Sequence, residues 1–305
     1  MEVPRLWSAP EGDKIVVAIR RVLAPGVSRG QLWALDGGPG FAGDAFFQPE
    51  FLQIAARASL DLIVPAHRGV VGTIVSCPDT DLSQLENWSA CAQSLQTQWG
   101  VGAAGFDSIS AARDVAHFMA RVPLSGTRIV FGGSYGSYWG QRLLQVKPSG
   151  IDRMWLDSIV DLEGTLERAD DHADQAMRQL LANCSDISAC RAMFTTAPLE
   201  RAIEVTERYA GGTGCGQDEG LSQPMFQGLM FAMLSGPPEY WVIAAAGFAR
   251  ADRCTTDDID ALKHAIAQLQ ERTAPEAQFT YNPVLNRQIL YRELYRFDTD
   301  AERRS

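Results

Sequence analysis

Five short apolar runs alternate with stretches of helical spacing across the first 160 residues. The runs at 15–19, 32–35, 60–65, 128–131 and 154–156 are rich in β-branched and aromatic side chains and too short for core helices, so they read as strands. Between them, residues 50–58 and 108–121 carry apolar positions at three- and four-residue intervals, and so does 138–145. Strands alternating with helices predict a mostly parallel sheet covered on both faces, the α/β class. From about residue 161 the strand signal disappears. Residues 164–184, 198–210, 225–234, 240–251 and 257–272 all read as helices, with bends at Gly211-Gly-Thr-Gly214 and Gly236-Pro-Pro238.

Two glycine clusters give this pattern a chemistry. The first is Gly132-Gly133-Ser134-Tyr135-Gly136, placed between the strand run 128–131 and the helical run that follows. Strand, sharp turn and helix with a serine at the tip is the geometry of a nucleophile elbow, and the glycines Gly132 and Gly136 allow strand and helix to approach closely. The second is Asp36-Gly37-Gly38-Pro39-Gly40, directly after the run 32–35. Acyl transfer through Ser134 passes through an oxyanion that requires main-chain N–H donors. Tyr135, the residue after the nucleophile, and Gly38 are the expected donors.

These motifs, with His67-Arg68-Gly69 and Leu156-Asp157-Ser158 in the same order, resemble the proline iminopeptidase and tripeptidyl aminopeptidase group of the α/β-hydrolases, secreted members especially. The resemblance is good over the first 160 residues and loose beyond. It departs at Asp36, where the group usually has His or Asn, and at Ala66, where it usually has Asp. It implies an α/β-hydrolase core over 1–160, an inserted helical cap over 161–280, and a segment over 281–305 that returns toward an incomplete core, within which 288–295 resembles a strand or loop. The activity it implies is release of N-terminal residues from peptides by a serine hydrolase. An esterase or amidase for small molecules, and a non-catalytic hydrolase that only binds a partner, are the alternatives.

In this fold the triad follows the order Ser, Asp or Glu, His. The chain has four histidines. His67 and His117 precede Ser134. His172 lies in the acidic helical segment 170–174 and His264 in the amphipathic run 257–272, where both read as solvated helix residues. The expectation is that the sequence stops before its catalytic acid and base, and that the chain alone is nearly inert.

Charge and cysteines narrow the partners. A net charge of -10 disfavours nucleic acid and anionic membranes, and the resemblance implies a peptide or small acyl substrate. No apolar run approaches 18 residues, so no membrane span is expected. Six cysteines alone allow about 15 connectivities. The resemblance implies pairing of Cys77 with Cys91, Cys184 with Cys190 and Cys215 with Cys254, and hence a periplasmic or extracellular location, although residues 1–25 contain no leader-like stretch. The stretch from Cys77 to Cys91 reads as a polar loop. No cysteine spacing suits zinc, and no cofactor is expected.

Overall fold

The computed structural model describes residues 1–124, 126–163, 166–273 and 279–295. The chain divides into two compact units, Met1–Glu167 with Ala277–Ser305, and Arg168–Glu276.

In the first unit, β1 (Glu2–Pro4) and β2 (Lys14–Val16) form an antiparallel ribbon. The main sheet contains β3 (Ile19–Val22), β4 (Gly30–Leu35), β5 (Leu60–Pro65), β6 (Thr127–Gly133) and β7 (Arg153–Asp157), in the order β3-β5-β4-β6-β7. Only β3 is antiparallel to its neighbour. The helices of this part are α1 (Pro49–Arg57), α2 (Trp88–Trp99), α3 (Ser108–Met119) and α4 (Tyr135–Val146). Every residue of β4 and β5 is buried, as expected of central strands whose two faces are both covered. One face packs Trp33 and Val130 against Val115, Phe118 and Leu143; the other packs Leu32, Leu62 and Val64 around Phe46. β7 forms one edge of the sheet, and its Trp155 is 67 % exposed.

The second unit is helical: α5 (Ala169–Cys184), α6 (Ser188–Arg191), α7 (Pro198–Ala210), α8 (Gln223–Ser235), α9 (Pro238–Arg253) and α10 (Thr256–Thr273). Leu181, Val205, Phe226, Met230, Phe248 and Leu262 form its core. The chain then re-enters the first unit with α11 (Pro283–Ile289) and a π-helical turn over Leu290–Leu294.

Three sequence expectations are corrected here. The run 15–19 is two strands, because Val17 donates to the Met1 carbonyl while Ala18 donates to Val71, and the chain changes partner between them. The region around Cys91 is the helix α2 rather than a polar loop, with Cys91 on its buried face. The stretch 288–295, expected to return as strand or loop, is helical through Leu294, as part of α11 (Pro283–Ile289) and the π-helical turn Leu290–Leu294. Pro283 occupies the first turn, the Asn282 side chain caps the amides of Val284 and Leu285, and Val284, Leu285, Ile289 and Leu294 are buried. Residues 296–305 of that segment lie outside the described residues.

The three disulfides are Cys77–Cys91, Cys184–Cys190 and Cys215–Cys254. No described helix is long and apolar enough to cross a membrane.

Candidate active site

β6 ends at Gly133 and α4 begins at Tyr135, so Ser134 alone makes the turn. Its φ of 54° and ψ of -128° lie in a region that L-residues rarely occupy. The neighbours explain how it is held. A Cβ on Gly132 would overlap the Gly136 carbonyl oxygen, and one on Gly136 would overlap the Leu35 carbonyl, so each must be glycine for strand and helix to meet. The Ser134 amide donates to the Asp157 carbonyl on β7 at 3.0 Å. Its own carbonyl accepts from the Ser137 hydroxyl at 2.7 Å, and that hydroxyl accepts from the Val160 amide at 2.8 Å.

The glycine loop after β4 runs beside this serine. A Cβ on Gly37 would stand 3.5 Å from the Ser134 Cβ and 3.8 Å from its Oγ. Asp36 braces the loop: one carboxylate oxygen accepts from the Gly37 amide at 2.7 Å and the other from the Gly43 amide at 2.6 Å. Burial pushes the Asp36 carboxyl above its ordinary pKa even though both amides pull it down. The Gly37 N–H is thereby occupied. Gly38, with φ +106°, has no partner for its amide among the described residues. The Tyr135 amide lies in the first turn of α4, where no intrahelical acceptor exists and the helix dipole favours negative charge. The Gly38–Pro39 peptide is cis.

Gly37, Gly38 and Ser134 line a cavity of about 460 Å³ whose remaining walls include the rings of Phe41, Phe46, Phe131 and Phe279. Two carboxylates belong to it, Asp36 and Asp44. Asp44 pairs with Arg20 at 2.6 Å and accepts from the Thr280 amide at 2.7 Å. Its modest burial raises the pKa, but those partners outweigh that and hold it below the carboxylate range.

Beneath the elbow, the Tyr135 side chain joins a polar chain that sequence reasoning missed. Its hydroxyl lies 3.0 Å from His67 Nε2 and 2.6 Å from Ser108 Oγ, with all three residues buried. Next to it, Arg68 is fully buried and forms a two-point ion pair with Asp114 at 2.7 and 2.6 Å, while donating also to the carbonyls of Pro4, Arg5 and Gly105. The signal in the sequence was the triplet His67-Arg68-Gly69, whose role no local pattern reveals.

Among the described residues of this unit, no histidine meets the serine. His67 is engaged below the elbow; His117 packs edge-on against Trp7 at 5.6 Å and contacts Arg121 through Nδ1. Ser134 Oγ makes no hydrogen bond with the described residues of its unit. His172 lies on α5 and His264 on α10 in the helical unit.

No family model and no curated protein matches the chain. Solved structures give weak likenesses. An α/β hydrolase from Novosphingobium aromaticivorans is 17% identical over 53% of this chain and 46% of that one, with a TM-score of 0.31. A thermophilic esterase from Thermogutta terrifontis is 15% identical over 88% and 86%, with a TM-score of 0.35. An epoxide hydrolase from Aspergillus niger is 15% identical over 84% and 59%, with a TM-score of 0.33. The chain thus spans less than half of the first of these, and none of the three scores carries an argument about function. The fold rests on the chain's own topology. A mostly parallel sheet covered by helices, a serine at a strained strand-to-helix turn, and a helical unit inserted after β7 make it an α/β-hydrolase fold.

Proposed function

We propose that this chain carries the nucleophile and oxyanion hole of a serine hydrolase that removes N-terminal residues from peptides, prolyl or tripeptidyl in type. The observation that carries the proposal is Ser134 in its strained turn, flanked by the glycine loop within one cavity. In the reaction, a base takes the Oγ proton as Oγ bonds to the scissile carbonyl carbon. The carbonyl oxygen becomes the oxyanion, received by the Tyr135 and Gly38 amides. The leaving amine departs with a returned proton, and water then releases the acyl group. Phe41, Phe46, Phe131 and Phe279 give the acyl side an apolar pocket, which also suits a small-molecule ester or amide.

The base and acid are proposed to come from a further segment of chain. Two observations support this. The first unit offers Ser134 no base among its described residues, and among the described residues β7 pairs only with β6, which leaves its outer edge free beside the elbow it anchors through Asp157. If no such segment joins it, the chain is a binding remnant of a hydrolase. The disulfides support an oxidising location, periplasmic or extracellular.

The test uses a fluorophosphonate probe and fluorogenic prolyl, alanyl and tripeptidyl amides, applied to this chain and to a version extended through the downstream reading frame. The extended protein is expected to label at Ser134 and turn over substrate, the short chain to do so about 10⁴-fold more slowly. Labelling unchanged in Ser134→Ala would remove the nucleophile assignment. Robust turnover by the short chain, abolished by His172→Ala or His264→Ala, would place the base in the helical unit instead.

A further inference from the structure

A second cavity, of about 490 Å³, lies in the same unit between α2 and the α11 segment. Ala92, Leu95 and Val284 give it apolar lining, with Val284 buried and Ala92 exposed, and Tyr291, also in the lining, is half-exposed. Two arginines, Arg287 and Arg292, line it, on a protein whose net charge is -10. Neither forms an ion pair with a carboxylate of the described residues. The Arg287 guanidinium lies over the Trp88 ring, its Cζ 4.2 Å from the centroid. A guanidinium held over an aromatic ring can still receive a carboxylate through two parallel hydrogen bonds from its N–H groups.

The walls are fixed before any ligand arrives. α2 is tied through Cys91 to Cys77, and the Gln288 side chain on α11 donates to the carbonyls of Ala103 at 2.8 Å and Phe106 at 2.9 Å. Arg292 and Tyr291 sit on the π-helical turn, a distortion of the i→i+4 ladder that recurs at functional sites and here brings Arg292 to the cavity that Arg287 lines. An apolar lining beside two guanidinium groups that have no carboxylate partner among the described residues fits one ligand chemistry, an anionic head on an apolar body.

We propose that this groove is a binding site for a small carboxylate with an aromatic or aliphatic body, separate from the Ser134 cavity. The test is calorimetric titration of the full chain with 3-phenylpropionate, 3-phenylpropanamide and acetate. The carboxylate is expected to bind saturably. The neutral amide should bind at least about tenfold more weakly for want of a charge-assisted pair, and acetate likewise for want of the apolar body. Arg287→Gln and Arg292→Gln should each weaken 3-phenylpropionate, and Ala92→Trp, on the exposed face of α2, should block it while leaving both guanidinium groups in place. The proposal is overturned if the amide binds as tightly as the carboxylate, if binding survives in Ala92→Trp or in the double arginine variant, or if wild-type protein shows no saturable binding at low millimolar concentration.

Discussion

The imidazole of His67 and the phenol of Tyr135 meet 3.0 Å apart beneath the elbow, and the surrounding groups fix which atom gives the proton. His67 Nδ1 is 2.9 Å from the Arg68 carbonyl oxygen, which can only accept, so Nδ1 carries the hydrogen. Nε2 is therefore the acceptor, Tyr135 donates to it, and the Ser108 hydroxyl donates to Tyr135. The backbone of Tyr135 is the expected oxyanion donor, so this chain of three side chains anchors the residue whose amide direction matters most to the proposed chemistry.

Burial, reinforced by the Arg68 charge, lowers the His67 pKa from 6.5 to about 4, although its bond to the Arg68 carbonyl opposes the shift. Between those values the unfolded chain binds a proton that the folded protein refuses. The contribution of this group is full above about pH 6.5 and falls by roughly 3 kcal/mol as pH drops to about 4. Urea midpoints across that window should fall steeply for wild-type protein and less steeply, by about one proton, for His67→Gln. Parallel curves for the two would assign the acid sensitivity to other groups.

The two loop glycines should separate position from crowding. Gly38 has φ +106°, and a Cβ there would stand 2.9 Å from the Gly40 amide nitrogen and 3.2 Å from the Phe41 ring. In the active, base-supplied protein, Gly38→Val should lower turnover about 10²-fold, with a smaller effect on substrate binding, as loss of one oxyanion donor does. Gly37 has no left-handed constraint, so Gly37→Ala should melt at the wild-type temperature. Its methyl, 3.8 Å from Ser134 Oγ, should nevertheless slow phosphonylation. Turnover of Gly38→Val within about threefold of wild type would move the donor elsewhere.

The Cys77–Cys91 bridge spans a sequence separation of 14 and holds α2 to the preceding loop. In the chain-entropy treatment a loop of this size contributes about 3 kcal/mol. A Cys77→Ala/Cys91→Ala double variant should lose about that much in chemical denaturation. Thiol titration of denatured, unreduced wild-type protein from an oxidising compartment should find no free thiol; six would remove all three bridges from the account.

Much of the first unit is readable from short stretches of chain. Residues 60–65 form the strand their apolar run suggests, because a strand inside a two-sided cover needs only continuous apolar character. The elbow is equally local: Gly132, Ser134 and Gly136 lie within one turn, and the clash that demands glycine at 132 is with the Gly136 carbonyl itself. The run 15–19 misleads for the opposite reason. Its apolar character is correct, but Val17 and Ala18 hydrogen-bond to residues far away in the chain, and those partners divide it. The helix that begins at Pro283 carries a local mark, Asn282-Pro283, a cap followed by a first-turn proline, while the resemblance over 288–295 points to strand or loop.

The sequence by itself determined the strands β4 to β7 with the helices α1, α3 and α4, the strained serine and the glycine loop, since steric and periodic constraints act between residues a few positions apart. Only the tertiary structure decided what surrounds them. His67 beneath Tyr135, Asp36 occupying the Gly37 amide and bracing Gly43, four phenylalanines around Ser134, and Arg287 stacked on Trp88 each depend on where packing brings separate segments together. Hydrogen-bond direction, burial and charge pairing are properties of three-dimensional neighbours, and no period or motif along the chain encodes them singly.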